Sequence, residues 1–231
     1  DFDLLVPAIN RMLERIQSLM ENFEQVSNDI AHDLRTPLGR LRHDLEAARS
    51  NPLQYEAALD RGLEKLDAIL DTFSALLRIA QIGSGERRSH FSSFDLSELT
   101  RMVVDSFEAV AESEHQRLLG RVTAGISLIG DRELIAQALV NLVENAIRHS
   151  PRQTLIEVSL TREVGLDHQQ VVLTVGDTGP GIPVDEREKV LQRLYRVDRS
   201  RTTPGNGLGL ALAKAVTDLH RADLVLEDNA P

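Results

Sequence analysis

Apolar residues at alternating spacings of three and four mark two long stretches of this 231-residue chain. The first stretch is Ile9, Met12, Ile16, Leu19, Phe23, Val26 and Ile30, and the second is Leu59, Leu63, Leu66, Leu70, Phe73, Leu77 and Ala80. This spacing is typical of a coiled-coil seam, and the Asn51-Pro52 pair between the stretches stops a helix. The sequence therefore predicts an antiparallel helical hairpin.

A two-helix hairpin cannot bury two apolar seams alone. Pairing two copies buries both seams, so we expect a homodimer whose hairpins form a four-helix bundle. A tropomyosin-like rod is the alternative, but a rod would not need the interrupting loop.

The charge balance and the absence of Cys exclude several classes of function. The chain carries 36 acidic and 26 basic side chains, for a net charge of -10. Nucleic-acid binding needs a basic face, so this balance argues against it. Without Cys there are no disulfides, thiolate metal sites or cysteine nucleophiles. No apolar run is long enough to span a bilayer, which predicts a soluble fragment, and the start at Asp1 suggests a piece of a longer protein.

After a Gly-rich linker that begins at Gly83, the pattern changes to mixed helices and strands. Asp95 and Glu98 resemble a capping box, which predicts a helix through about Ser106. Periodicity predicts further helices over 132–149 and 208–219, and strands over 126–129, 155–160, 171–175 and 224–226. The second half is therefore expected to fold as an α+β sandwich.

His32 follows the first seam at a position that faces solvent. Pro37 crowds the carbonyl of Asp33, so we expect the helix to bend just beyond the histidine. Thr36 lies on the same helical face, and Asp33 and Arg35 flank the imidazole. A hydrogen bond from Nδ1–H to Asp33 leaves Nε2 as a nucleophile, because an ordinary His is mostly neutral at pH 7. The alternative is an inert surface histidine, one of seven in the chain.

The predicted helix over 132–149 presents Asn141, Asn145 and Arg148 along one side. Amide oxygens are ligands for Mg²⁺ and Arg pairs with phosphate, so this side suits a metal-bound phosphate chain. Asn is a poor helix former, and two in the middle of a helix favour a functional interpretation over solvated surface residues.

Two glycine segments follow this helix. Asp177 opens Asp-Thr-Gly-Pro-Gly-Ile after a predicted strand, where a carboxylate can accept from an exocyclic amine and Gly179 and Gly181 let the backbone approach a flat ring. Gly205-Asn-Gly-Leu-Gly209 opens the next helix, where backbone amides favour phosphates. It is neither a Walker loop nor a dinucleotide fingerprint. Four arginines lie between the two segments: Arg193, Arg196, Arg199 and Arg201. They predict a mobile lid that neutralises phosphates. The alternative interpretations are a plain turn for the Asp177 segment and a solvated loop for the arginines.

These motifs resemble those of bacterial two-component sensor histidine kinases. Ile30-Ala-His-Asp-Leu-Arg-Thr-Pro-Leu38 resembles their H-box. Four further segments resemble the N, G1, F and G2 boxes of this family, in that order: residues 141–149, 177–182, 191–196 and 205–210. The resemblance covers about residues 25–227 and implies an ATP-binding domain of the Bergerat (GHKL) fold, shared with gyrase, Hsp90 and MutL.

The resemblance also implies a role for each matched residue. His32 is expected to accept the γ-phosphoryl group of ATP, with Asp33 and Arg35 beside it, and Thr36 to orient a water that dephosphorylates the partner. Mg²⁺ is expected on Asn141 and Asn145, and adenine on Asp177 in a pocket shaped by Gly179 and Gly181. The groups expected to hold phosphates are Arg148, Arg196 and the backbone of Gly207 and Gly209.

The implied organisation has four parts: residues 1–23 as a HAMP second-helix remnant, 24–82 as the dimerisation and phosphotransfer domain, 83–92 as a linker and 93–231 as the catalytic domain. The implied protein is the cytoplasmic portion of an inner-membrane sensor, anchored through segments absent here. It is expected to pass its phosphoryl group to an Asp of a response-regulator receiver domain.

The family pattern is not matched everywhere. Leu191 and Leu194 stand where the family usually has Phe, and Arg221-Ala222 replaces a glycine pair. The family pattern also includes a closing strand, and we expect this chain to stop at Pro231 before that strand. Asn141 stands where ATP-hydrolysing relatives have Glu, which favours a kinase over a hydrolase. Two alternatives remain, an ATPase whose hairpin only dimerises and a non-catalytic coiled-coil scaffold.

Overall fold

The structure is a computed structural model that describes residues 37–39, 41–47, 55–83, 90–164, 169–193, 195–197 and 207–229. The chain divides into two compact units, Asp1–Ala80 and Gln81–Pro231. The predicted first seam and the predicted group of His32, Asp33, Arg35 and Thr36 lie outside the described residues.

The first unit contains helical segments that pack on each other: residues 37–39 and 41–47, and all but the last three residues of the 29-residue helix α1 (Tyr55–Gly83). Leu45 lies against α1, since its Cδ2 atom is 3.1 Å from the position that a Cβ on Gly62 would take. Lys65 of α1 forms an ion pair with Asp44, and the hydrogen bond from this ammonium lowers the pKa of the Asp44 carboxyl. These contacts are the ones that the predicted hairpin requires.

One apolar face of α1 is exposed in the single chain. The predicted seam residues are each at least 36% exposed: Leu59, Leu63, Leu66, Leu70, Phe73 and Leu77. On the other side of the helix, Leu76, Ile79 and Ile82 are buried. No helix in the described part of the chain combines the length and the apolar character needed to cross a bilayer. The four-helix bundle that would cover the exposed face stays a prediction.

The second unit is a sandwich of helices and sheet. Its helices are α2 (Leu96–Ser113), α3 (Arg132–His149) and α4 (Gly209–His220), with 3-10 turns at Val184–Glu186 and Lys189–Leu191. Its strands are β1 (Ser92–Asp95), β2 (Arg117–Val122), β3 (Ser127–Gly130), β4 (Leu155–Val164) and β5 (Gln169–Asp177). Strand β4 pairs parallel with β2 and antiparallel with β5, and β1 pairs antiparallel with β3.

The core lies between the three-stranded sheet and helices α2 and α3. In β4, Ile156, Val158 and Leu160 are fully buried and alternate with less buried residues, as the two-residue period of a strand requires. The helical side of the core follows the 3.6-residue period and includes Val103, Ala111, Leu139, Val143, Ala146 and Ile147. Helix α4 packs on α3. The predicted α/β sandwich is therefore confirmed.

Local signals predicted the helices well. Helix α3 has the predicted bounds, because the Asp131 carboxylate caps it by accepting from the amides of Glu133 and Leu134 at 3.1 Å. The prediction that α2 ends near Ser106 is wrong, since the helix continues to Ser113 and buries Ala111 completely.

Two outcomes depended on contacts between distant residues. The edge strand β2 was not predicted, because only Leu118 and Val122 of its residues are even half-buried. The predicted strand at 224–226 is wrong, since residues 222–229 form no strand. Side chains from elsewhere hold this segment instead, because Arg187 donates to the Leu226 carbonyl at 3.2 Å.

His220 joins the end of α4 to the end of β3. Its Nδ1 lies 2.7 Å from the Val216 carbonyl oxygen, and its Nε2 accepts from the Asp131 amide at 2.9 Å. A carbonyl only accepts and an amide N–H only donates, so the ring is neutral with its proton on Nδ1. The ring stacks on Phe91 with centroids 4.7 Å apart. A Cβ on Gly130 would lie 2.6 Å from the ring, so this approach requires glycine.

Candidate functional site

Helix α3 carries the two predicted amide ligands on one side. Leu139 and Val143, at most 1% exposed, anchor the helix in the core. Asn141 and Asn145 are one helical turn apart and half-buried, so both amides lie along the rim of the core. This placement leaves polar groups at a protected surface rather than in open solvent.

The start of α4 lies directly against these amides. A Cβ on Gly209 would stand 3.4 Å from Asn145 Nδ2 and 3.5 Å from Asn141 Cβ. Within the described residues no side chain caps α4, whose N-cap residue is Leu208. The first amides of a helix carry partial positive charge and bind anions. Two asparagine side chains, whose oxygens are ligands that suit a cation, therefore lie beside backbone amides that suit an anion.

Asp177 ends β5 and is held in a fixed turn. Its Oδ1 accepts from the Gly179 amide at 2.7 Å, and its carbonyl oxygen accepts from Asn229 Nδ2 at 2.8 Å. The residue is half-buried. The turn thus presents a carboxylate at the edge of the sheet with one oxygen already engaged.

The turn after Asp177 packs on the C-terminal end of α3. A Cβ on Gly179 would lie 2.7 Å from Asp177 Oδ1, 3.2 Å from Ser150 Oγ and 3.4 Å from the His149 carbonyl oxygen. No side chain fits there, so glycine is required by close approach. Gly181 has φ +69°, the left-handed region that favours glycine. Helix α3 therefore contacts one glycine segment at its C-terminal end and the other along its side.

The structure places the remaining predicted residues as follows. Arg148 is exposed at the end of α3, and Arg196 is half-buried. Gly207, with φ +64°, comes just before α4. Gly205, Leu194, Arg199 and Arg201 lie outside the described residues. The predicted residues that the structure brings together are Asn141 and Asn145 with Gly209, and Asp177 with Gly179.

Sequence reasoning missed several residues that shape the site. Arg187 donates to the Ile182 carbonyl and to the Leu226 carbonyl, both at 3.2 Å, and pairs with Asp228. It ties the turn after Gly181 to the C-terminal segment. No sequence signal could have revealed this role, because its partners are backbone oxygens and a carboxylate far along the chain.

Glu186 organises the segment that follows this turn. It accepts from Tyr195 Oη and, at 2.9 Å, from Lys189 Nζ. The hydrogen bond from Lys189 to the Glu186 carboxylate raises the pKa of that ammonium. These bonds connect the two 3-10 turns to Tyr195.

The geometry can be compared with known proteins. Residues 130–230 match the family of histidine kinase-, DNA gyrase B- and HSP90-like ATPases. The sensor protein BasS of Salmonella typhimurium is 30% identical over 230 residues, which are 99% of this chain and 62% of BasS. The sensor histidine kinase CusS of Escherichia coli O157:H7 is 31% identical over 100% of this chain and 48% of its own length.

Over nearly its whole length the chain is similar to two-component sensor histidine kinases, and residues 130–230 match the ATPase family that includes histidine kinases. The matched ATPase family implies that the chain binds ATP. The second unit has the α/β fold of GHKL ATPases, and the solved structure of the histidine kinase AdeS of Acinetobacter baumannii shares the fold with a TM-score of 0.61. That likeness is at 23% identity and covers 81% of this chain and 86% of AdeS. The chain spans about half to three fifths of the length of BasS and CusS.

Proposed function

We propose that this sensor kinase phosphorylates its own His32 with ATP and passes the phosphoryl group to an Asp of a response-regulator receiver domain. One observation carries the proposal. Both glycine segments meet the same helix, because Gly209 lies against Asn141 and Asn145 while Gly179 lies against the end of α3. A single nucleotide can then contact both segments at once.

The site fits ATP at its two ends. The Asp177 carboxylate accepts from the exocyclic amine of adenine, in a pocket shaped by Gly179 and Gly181. At the other end, the phosphates lie against the backbone of Gly207 and Gly209, where the amides that open α4 stabilise negative charge. Arg148 and Arg196 supply the guanidinium groups.

The residues beside Gly209 also fit Mg²⁺. The side chains of Asn141 and Asn145 lie beside the amides that open α4. Their neutral oxygens are ligands that suit Mg²⁺, which takes few protein ligands besides phosphates and water. When bound, the ion neutralises charge on the transferring phosphoryl group. The two asparagines would hold the ion beside the start of α4.

The chemical step takes place at His32. Its Nε2 lone pair attacks the γ-phosphorus of ATP, a P–N bond forms, and the bond from that phosphorus to the β,γ-bridging oxygen breaks as ADP leaves. Asp33 accepts the hydrogen bond of Nδ1–H and stabilises the imidazolium that forms, and Arg35 contributes charge to the approaching phosphates. Catalysis consists mostly of positioning and charge neutralisation.

The phosphoryl group then moves from His32 to a carboxylate of the receiver domain, and Thr36 orients the water that later hydrolyses that acyl phosphate. We further propose that the enzyme is a homodimer. The exposed apolar face of α1 supports this assembly, because a second copy of the hairpin covers it. The residues 1–23 are the remnant of a HAMP relay, and the whole protein is anchored in the inner membrane.

The decisive experiment incubates the chain with Mg²⁺ and [γ-³²P]ATP. We expect label that is lost in acid and stable in alkali, as a phosphoramidate is. His32→Gln should take up no label, while the matched control His43→Gln, which changes an exposed histidine of the first unit, should be labelled normally.

Two results contradict the proposal. Labelling of His32→Gln would place the nucleophile elsewhere. Release of free phosphate without protein label would identify an ATPase whose hairpin only dimerises. In a separate assay, Thr36→Ala should be labelled normally and should lose dephosphorylation of the receiver domain; equal dephosphorylation by both proteins removes Thr36 from that step.

A further inference from the structure

Ser150 carries a buried hydroxyl that the proposed function does not use. The residue is the C-cap of α3 and has extended backbone, with φ -94° and ψ 142°. Within the described residues its Oγ is buried and has no hydrogen-bond partner. Leaving a buried polar group unpaired is energetically costly, so such a group invites a functional explanation.

Hydrogen bonds fix the backbone of Ser150, so its hydroxyl can change position only by rotation about the Cα–Cβ bond. The Ser150 amide donates to the Ala146 carbonyl at 3.2 Å. Its carbonyl accepts from Gln116 Nε2 at 2.9 Å, and the same nitrogen donates to the Ile147 carbonyl at 2.9 Å. Gln116 is itself buried. The hydroxyl is thus the one group of Ser150 whose hydrogen-bonding capacity is unused in the described structure.

This hydroxyl faces the turn that holds the Asp177 carboxylate. Ser150 Oγ and Asp177 Oδ1 lie 3.2 Å and 2.7 Å from the same point, the position of a Cβ on Gly179. The third atom near that point is the His149 carbonyl oxygen, which only accepts. Asp177 Oδ1 receives one hydrogen bond, from the Gly179 amide, and a carboxylate oxygen accepts a second. Of these three atoms, Ser150 Oγ is the one that can donate a hydrogen bond.

We propose that Ser150 is a positioning residue for adenine recognition: its hydroxyl donates to the Asp177 carboxylate through one water and holds it toward the exocyclic amine. The inference rests on the proposed contact between Asp177 and adenine. A carboxylate held in one orientation loses less conformational freedom when the base binds, so the contact contributes more to affinity. Glycine at 179 is what lets the two side chains approach each other.

The experiment compares two nucleotides by calorimetry on the full chain with Mg²⁺. ATP carries the exocyclic amine, and purine riboside triphosphate is the same molecule without it. We expect the wild type to prefer ATP by about tenfold or more, the value of one hydrogen bond to a charged acceptor. Ser150→Ala should reduce this preference by about three- to tenfold, by weakening ATP and leaving the analogue unchanged.

Three further variants secure the interpretation. Ser150→Thr keeps the hydroxyl and should keep the preference. Ser150→Cys keeps the size but is a weak donor, so it should lower the preference even if Ser150→Ala folds poorly. Ser113→Ala makes the same change at an exposed serine of α2 and should affect neither nucleotide.

The outcomes separate the two proposals. If Ser150→Ala and Ser150→Cys weaken both nucleotides equally, or neither, the hydroxyl has only a structural role and the inference is overturned. If the wild type itself shows no preference for ATP over the analogue, the assignment of Asp177 to adenine fails instead.

Discussion

Gly130→Ala tests whether the contacts of the His220 ring with Asp131 and Phe91 stabilise the second unit. The new Cβ would stand 2.6 Å from His220 Cδ2 and 2.7 Å from its Nε2, inside van der Waals contact. The ring must therefore move away from β3. Backbone strain does not contribute, because φ of Gly130 lies outside the left-handed region.

The cost follows from the contacts that the ring loses. The Asp131 amide, which donates to His220 Nε2 at 2.9 Å, loses its acceptor at a part-buried position, which costs about 1 to 3 kcal/mol. Loss of the stack on Phe91 adds about 0.5 to 1.5 kcal/mol. We expect a total of about 2 to 4 kcal/mol, which for a unit of this size lowers the unfolding temperature by about 5 to 15 °C.

Differential scanning calorimetry of the full chain measures this shift. Gly209→Ala is the matched control, because its Cβ would meet only ordinary contacts, the nearest at 3.4 Å. A double-mutant cycle with His220→Ala isolates the clash. Once the ring is absent, Gly130→Ala should cost less than about 1 kcal/mol. Additive costs of the two substitutions would refute the reasoning, since the clash would then not involve the ring.

Three further predictions concern the nucleotide site, the C-terminal segment and the hairpin. Asn145→Ala should weaken binding of Mg²⁺-ATP by about ten- to a hundredfold in calorimetry, and an unchanged affinity would remove the metal assignment. Arg187→Met should lower the free energy of unfolding in urea by about 2 to 3 kcal/mol, because the Leu226 carbonyl and a carboxylate lose their donor; no change would show that the tie is not stabilising. Lys65→Met should raise the pKa of Asp44 toward its ordinary value, because the Lys65 hydrogen bond is the largest cause of the lowered pKa. In the wild type the lowered pKa of Asp44 stabilises the fold at pH values above the ordinary pKa of an Asp. The stability difference between the wild type and Lys65→Met should therefore vanish as the pH falls through the folded-state pKa. A difference that persists in acid would contradict the ion pair.

The local elements of the second unit could be predicted because their signals are local. The Asp131 cap, the 3.6-residue spacing and the terminal His149 define α3 within the sequence itself. The buried alternation of β4 does the same for the central strand. The edge strand β2 gave no such signal, because its pairing with β4 and not a buried face defines it.

Individual polar residues at the site could not be predicted. Gln116, Arg187 and Asn229 hold the site through hydrogen bonds to backbone oxygens, which every residue type offers. Their partners are separated from them by many residues, so no spacing rule identifies them. The same reason hid Ser150, whose neighbours come from the turn after β5.

The amino-acid sequence alone determined the types of residue in the site, since asparagines inside a helix and glycines after a strand are unusual enough to be recognised where they stand. It also determined the helices, because capping and periodicity act between residues a few positions apart. Only the tertiary structure decided that Gly209 lies against Asn141 and Asn145, and that the turn of Asp177 and Gly179 packs against the end of α3. These contacts depend on how α4 and β5 pack around a shared core, and packing is a property of the whole unit.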